Sequence, residues 1–386
     1  MQICICRVSV EYVNLRDICK INMGQSPEST SYNSDKQGVP FYQGNADFGA
    51  LYPNPRIWCS KPIKLAKEND ILISVRAPVG ALNFSKEECC IGRGLAAITL
   101  DSNDFLLEFI YWSLRTGVKE LQSKSTGSTF KSINKKTLEE VRIPKISLKE
   151  QKDIIRNLTL LTNILAKYKH EIVFLDELVK ARFVEMFGDP VHSEKYGTRK
   201  LSSCVAEKSD MVDGPFGSQV NTKVDYIENG EIPVIRTVNV KMMSFSPTDL
   251  KYMTREKYET VIRSQVLPGD VILTKVGTIG NVCIFPNAFD EAVLSTTGSC
   301  RIRVDNSVVN TQFFAYNLMY LKGKLLEIAS AGVQPFLNMN HVKNIDILDV
   351  SLEKQKEFAD FVKEVDKSRL RELLAIKHIK LLLKNL

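Results

Sequence analysis

The chain has 386 residues, 44% apolar and 25% charged, with a formal charge of +7 and a pI near 8.8. No class outside globular is needed, there is room for two substantial cores, and the mild basicity permits nucleic-acid binding without requiring it. No run approaches the ~20 apolar residues of a membrane span, and Met1-Gln2-Ile3-Cys4-Ile5-Cys6-Arg7 is too short and interrupted for a signal peptide, so a cytoplasmic protein without a membrane partner is expected.

Residues 1–146 read as a mixed region. Asp70-Ile71-Leu72-Ile73-Ser74-Val75 is a buried strand entered from a turn, Leu95-Ala96-Ala97-Ile98-Thr99-Leu100 is a second, and Phe105-Leu106-Leu107-Glu108-Phe109-Ile110-Tyr111-Trp112 predicts a covering helix. Residues 147–188 then change period. Ile154, Leu158, Leu161, Leu165, Tyr168, Ile172, Leu175 and Val179 alternate steps of four and three, the 3.5-residue repeat of a coiled-coil seam. Ser147 and Glu150 form a capping box at its start, and Gly188-Asp189-Pro190 stops it. Some 40 helical residues span roughly 60 Å, which suits a strut.

Residues 189–350 repeat the mixed region. Asp270-Val271-Ile272-Leu273-Thr274-Lys275 and Cys300-Arg301-Ile302-Arg303-Val304 are strands, and Thr311-Gln312-Phe313-Phe314-Ala315-Tyr316 begins a covering helix. Residues 351–386 form a second strut with Phe358, Val362 and Val365 in phase. The phase breaks at Arg369 and resumes near Leu373, Ile376, Ile379 and Leu383, either as a stutter or where another protein contributes.

The two halves are one sequence written twice. Asn69-Asp70-Ile71-Leu72-Ile73-Ser74 matches Gly269-Asp270-Val271-Ile272-Leu273-Thr274, with Gly80 and Gly280 in step. Ser125-Thr126-Gly127, Phe130 and Asn134 pair with Ser330-Ala331-Gly332, Phe336 and Asn340, and Ser147-Leu148-Lys149-Glu150-Gln151-Lys152 with Ser351-Leu352-Glu353-Lys354-Gln355-Lys356. A duplication of this length predicts an α+β chain: two α/β domains related by a pseudo-two-fold and joined by two long antiparallel coiled-coil helices.

No catalytic constellation accompanies this architecture. There is no GxxxxGK[ST] loop, no GxGxxG opening a βαβ unit, and no Asn/Asp-Pro-Pro-aromatic tetrapeptide. Glu150-Gln151-Lys152 loses its carboxylate in the second copy, which favours capping over metal binding. His170, His192, His341 and His378 share no placement, and nine cysteines without a CxxC pair read as reduced, buried thiols, so no metal site is expected. Two similar globules at a fixed distance suit a two-part target with unequal halves. The candidate DNA readers are Gln43, Asn45, Arg76, Arg93, Thr129, Lys131 and Asn134 in the first copy. In the second they are Ser218, Gln219, Arg236, Asn239, Lys275, Arg301, Gln334, Asn338 and Asn340, polar and basic residues flanking strands and glycines.

Longer motifs carry a resemblance. Met23-Gly24-Gln25-Ser26-Pro27, Pro40-Phe41-Tyr42-Gln43-Gly44-Asn45-Ala46-Asp47-Phe48-Gly49, Ser74-Val75-Arg76-Ala77-Pro78-Val79-Gly80 and Ile91-Gly92-Arg93-Gly94-Leu95-Ala96 resemble the target-recognition domain of type I restriction-modification specificity subunits. Asp213-Gly214-Pro215-Phe216-Gly217-Ser218 with Ile232-Pro233-Val234-Ile235-Arg236 resembles another branch of that domain family. The resemblance implies a non-catalytic subunit that reads an asymmetric bipartite site on double-stranded DNA, one half-site per domain, with the helices setting the spacer. It implies two modification subunits that methylate adenine N6 and restriction subunits that cleave, so that S-adenosylmethionine, ATP and Mg are expected on those partners and no cofactor on this chain. Leu160, Ile164 and Phe174 either meet partner helices or pack on the recognition domains. The Arg182-Phe183-Val184-Glu185-Met186-Phe187-Gly188 ending of the first strut has no counterpart before Leu386. Reduced closing contacts, a recombined variant and a truncated copy are the open expectations. A self-contained nuclease or methyltransferase, and a stand-alone DNA-binding regulator, are the competing classes.

Overall fold

The computed structural model describes residues 11–123, 125, 132–192, 195–329 and 335–385. The chain divides into two compact units, one taking in the chain through Tyr168 together with the stretch from Ala375, the other Lys169–Leu374.

The principal strands of the first unit are β1 (Cys19–Met23), β2 (Val39–Tyr42), β3 (Ile71–Ser74), β4 (Leu82–Phe84), β5 (Cys89–Ile91) and β6 (Leu95–Leu100). Helix α1 (Leu107–Thr116) follows, and α2 (Leu148–Phe187) begins in this unit. β1, β6, β3 and β4 form an antiparallel sheet in that order, and β2 and β5 pair in parallel in a second sheet. The unbroken apolar run of β3 has a direct cause. Side chains alternate faces along a strand, and here Ile71 and Ile73 join the core under α1 while Leu72 joins a separate cluster with Tyr42, Ile91 and Ala97.

The second unit repeats the plan with β7 (Met211–Asp213), β8 (Ile232–Ile235), β9 (Val271–Thr274), β10 (Val282–Ile284), β11 (Ala292–Leu294), β12 (Ser299–Ile302), α3 (Thr311–Tyr320) and the start of α4 (Leu352–Asn385). The sheet order is β7, β12, β9, β10, and β8 pairs in parallel with β11. Val271 and Leu273 face the core under α3 while Ile272 faces the second cluster. Phe183 and Phe187 of α2 are fully buried in that first core, with ring centroids 5.3 Å (Phe183 to Phe358) and 4.9 Å (Phe187 to Phe313) apart. The described cysteines are buried free thiols, and burial pushes Cys89 up to about 12.

The two long helices share a buried glutamine in their first turn, and α2 adds a side-chain cap before it. Ser147 Oγ accepts from the Glu150 backbone N–H at 3.3 Å and Glu150 Oε2 accepts from the Ser147 N–H at 2.9 Å, a reciprocal cap that holds the Glu150 carboxyl below its usual range. The next residue, Gln151, is fully buried. Its Oε1 accepts from the Leu106 N–H at 2.8 Å, and its amide donates to the Asp104 and Ile146 carbonyls at 2.8 and 3.0 Å. Gln355 repeats this, accepting from the Asn310 N–H and donating to the Val350 carbonyl, each at 2.7 Å. At the far end of α2, Gly188 takes a φ of +81° and its N–H reaches the Val184 carbonyl at 2.8 Å, which closes the helix.

The repeat register differs by two residues from the sequence pairing near Asn134. The bridge Arg76 to Ser132 corresponds to Val276 to Phe336, and the helix caps are Asn134 and Asn338, so Asn134 matches Asn338 and not Asn340. The same spacing then carries Gln151 onto Gln355, so no residue is inserted between them.

The seam also corrects the expected break at Arg369. In α2, Leu158 and Val179 are buried, and Ile154, Leu161, Leu165, Tyr168, Ile172 and Leu175 are half-buried. In α4, Phe358, Val362, Val365, Ile376 and Ile379 are buried and Leu383 is half-buried, while Leu373 is exposed. The three-four rhythm runs unbroken because half-buried Arg369 and Glu372 occupy the two positions between Val365 and Ile376. Within the second unit the helices are antiparallel: Arg182 meets Glu357 at 2.7 Å, and Arg369 meets Asp176 at 2.6 Å. Glu372 has a buried oxygen without a partner, and burial first, then the Glu171 carboxylate, hold its carboxyl above the ordinary range.

Two outcomes follow. Gln355→Leu, which strands the Asn310 N–H and the Val350 carbonyl, should cost about 2–4 kcal/mol in urea denaturation, and a loss under about 0.5 kcal/mol would contradict the lock. A carboxyl with a raised folded pKa destabilises only when ionised, so its cost is absent below the unfolded pKa and grows as pH rises through the folded one. Glu372→Leu should therefore raise the thermal midpoint more at about pH 7 than at about pH 4.

Candidate functional site

Each unit brings the same three loops together. In the first, the residue after β2, the Gly92-Arg93-Gly94 turn before β6 and the loop after β3 meet through backbone bonds. The Gly92 N–H donates to the Tyr42 carbonyl (2.8 Å), Gly94 N–H to Gln43 (3.1 Å), Val75 N–H to Gly94 (2.9 Å) and Ile133 N–H to Val75 (3.0 Å). A Cβ on Gly94 would lie 2.3 Å from the Gln43 carbonyl oxygen, so only glycine permits this approach. The second unit repeats three of these four bonds around a turn one residue longer: Ser295 N–H to Ile235 (2.9 Å), Lys275 N–H to Gly298 (2.8 Å) and Leu337 N–H to Lys275 (2.9 Å). Gly214 packs against the Thr296 carbonyl with equally little room, since a Cβ would stand 2.1 Å away.

Each frame holds a cleft. In the first unit it measures about 240 Å³ and is lined by Ser26, Gln43, Asn45, Arg76 and Arg93. Arg76 and Arg93 are exposed, and neither guanidinium has a hydrogen-bond or ion-pair partner among the described residues. In the second unit it measures about 540 Å³, with Tyr226, Arg236, Lys251, Thr296 and Ser299 among its walls. Arg236 donates to the Asp249 carboxylate at 2.7 Å, and Lys251 pairs with Glu228 and Asp249.

Of the residues singled out from sequence, Gln43, Asn45, Arg76 and Arg93 line the first cleft and Arg236 the second. Ser218 and Gln219 are exposed but line neither, and Gln219 Oε1 accepts from the Phe216 N–H at 3.0 Å. Asn134 and Asn338 cap short helices, accepting from Thr137 and His341 N–H groups at 2.9 and 2.7 Å. Asn340 sits exposed in the helix that Asn338 caps. Thr129, Lys131 and Gln334 lie outside the described residues.

Three candidates are corrected. Asn239 is fully buried, accepting from the Arg236 N–H at 3.1 Å and donating to the Ser246 and Thr248 carbonyls at 2.9 and 3.2 Å. Lys275 is buried in an ion pair with Asp213. Arg301 is buried with its outer nitrogens on the Gln265 and Ser209 carbonyls, and burial lowers its pKa. These side chains are consumed by the frame and do not face solvent. Sequence reading missed Tyr226, Thr296 and Ser299. The hydroxyl-rich tract Ser295-Thr296-Thr297 before Gly298 was the available signal.

The type I restriction modification DNA specificity domain matches residues 7–173 and again 213–379, and the chain belongs to that family. It is 44% identical over 146 residues to a putative type I restriction enzyme MjaX specificity subunit of Methanocaldococcus jannaschii, covering 38% of this chain and 34% of that one. It is 24% identical over 283 residues to the MjaVIII specificity subunit of the same organism, covering 67% of this chain and 63% of that one. The match therefore spans less than two thirds of either relative's own length. A type I restriction-modification S subunit from M. genitalium shares the fold at 14% identity and a TM-score of 0.58, covering 98% of this chain and 96% of that one. Among the described residues no helix is long and apolar enough to cross a membrane.

Breaking the buried pair should separate frame from surface. Lys275→Met leaves Asp213 without its cation and should cost about 3–5 kcal/mol in chemical denaturation. Arg76→Ala, on an exposed and unpaired side chain, should stay within about 0.5 kcal/mol of the parent.

Proposed function

We propose that this chain is the sequence-reading subunit of a type I restriction-modification enzyme, acting in the cytoplasm on double-stranded DNA. The observation that carries the reading is the pair of clefts: one backbone frame built twice, with different side chains at matching positions. Gln43 in the first corresponds to Arg236 in the second, and Arg76 to Val276. Similar frames with different linings suit two unequal half-sites, because base edges are distinguished by which donors and acceptors meet them. The exposed Arg76 and Arg93 have no internal partner, so their guanidinium donors are free to meet the acceptor edges of bases in the first half-site. The relatives' description as specificity subunits supports the same role.

On this reading the chain is not itself an enzyme and holds no cofactor. Two modification subunits carry S-adenosylmethionine and methylate adenine N6, and restriction subunits use ATP and Mg to cleave. Exposed apolar side chains on the long helices, Leu160, Phe174 and Leu178 on α2 and Leu370 and Leu374 on α4, are the surfaces offered to those partners.

The test is co-expression with the cognate modification subunit in a host lacking adenine methylation, followed by genome-wide mapping of N6-methyladenine. One asymmetric motif of two short blocks around a fixed spacer is expected. Specific DNA binding by the chain alone, with no complex formed and no methylation, would overturn the reading in favour of a stand-alone regulator.

A further inference from the structure

We infer that the cavity of the second unit receives the hydrogen-bonding edge of a nucleobase, with Ser299 as a specificity-determining residue. This rests on the chain being a DNA reader. Ser299 is 2% exposed, lines the cavity, and its Oγ has no hydrogen-bond partner among the described residues. Buried hydroxyls are ordinarily satisfied internally.

The repeat sharpens the point. Ser299 pairs across the sheet with Thr274 as Leu95 pairs with Ser74, so the two occupy the same place in the two units. In the first unit that place is a fully buried leucine in an apolar cluster. The second unit puts a hydroxyl there, with no internal bond to justify it. Arg236, which lines the same cavity, adds a second orphan: its Nε is buried and unpartnered while an outer nitrogen is held by Asp249.

Charge decides between base and phosphate. The cations on this cavity, Arg236 and Lys251, face the carboxylates of Asp249 and Glu228. The mouth therefore has no surplus positive charge with which to neutralise a phosphate. What remains is an N–H donor and hydroxyls on Thr296 and Ser299 that donate or accept. That set matches the mixed donor and acceptor pattern of a base edge. Position on the first residue of β12, paired with Thr274, fixes the backbone that carries the hydroxyl before any ligand arrives.

The experiment uses the complex with the modification subunit and duplexes carrying the methylated motif, with each base pair replaced in turn. Ser299→Ala should lower discrimination about 10- to 100-fold at one base position. The other block and the salt dependence of affinity should be unchanged. Because the hydroxyl has no internal bond, the thermal midpoint should not fall; a fall would mark Ser299 as a frame residue and overturn the proposal. Thr296→Val, which keeps shape and removes a hydroxyl, should relax the same block. Uniform weakening across all duplexes, with every base preference kept, would identify a phosphate contact instead and overturn the proposal. Unchanged discrimination at every position in both variants would sink the proposal while leaving the DNA-reading role intact. A parent complex without sequence preference would remove both.

Discussion

A buried glutamine at the start of each long helix is the constraint on which the rest depends. Gln151 and Gln355 carry both a donor and an acceptor into an otherwise apolar junction, and each ties its helix to the loop before the covering helix. No apolar residue could do this, since the loop's N–H and carbonyl groups would be left unpaired away from water. The amide fixes the rotation of the helix about its own axis relative to its unit. That rotation decides which residues of the 3.5-residue rhythm become the seam and which are presented outward.

The same economy governs the clefts. Backbone hydrogen bonds, glycines and buried ion pairs build the frame, so the lining residues are free to differ without disturbing it. Lys275 and Arg301 show how far this goes: two basic residues of the second unit serve entirely as internal struts. In the first unit the matching burden is lighter, with Val75 at the position of Lys275, and the exposed cations Arg76 and Arg93 remain unengaged. Duplication followed by divergence has thus produced one charged cleft and one neutral, hydroxyl-lined cavity on a common plan.

Much of the fold was legible in the residues because its signals are local. The capping box of Ser147, the heptad rhythm of α2, the fully apolar strands and the glycine turns each depend on neighbours within a few positions. What could not be read was burial of polar groups. Asn239, Lys275 and Arg301 look like surface readers in sequence, and only the strands packed around them reveal otherwise. Arg369 and Glu372 were invisible as seam residues because apolar periodicity counts them as a break. Ser299 was missed for the converse reason: a serine at a strand start is unremarkable until its partners are sought and not found. Asn340 was mispaired with Asn134 because residue identity outweighed spacing, whereas the caps place Asn338 there.

The central claim is that the two units read separate blocks of one site. The most direct measurement is the methylated motif directed by a chain carrying Arg76→Ala and Arg93→Ala, compared with that of the parent. These two side chains lie in the first cleft, exposed and unpaired, so the frame survives their loss. The account predicts that methylation becomes less selective or weaker in one block while the other block and the spacer keep their sequence and length. Equal degradation of both blocks would show that the units do not read independently and would contradict it.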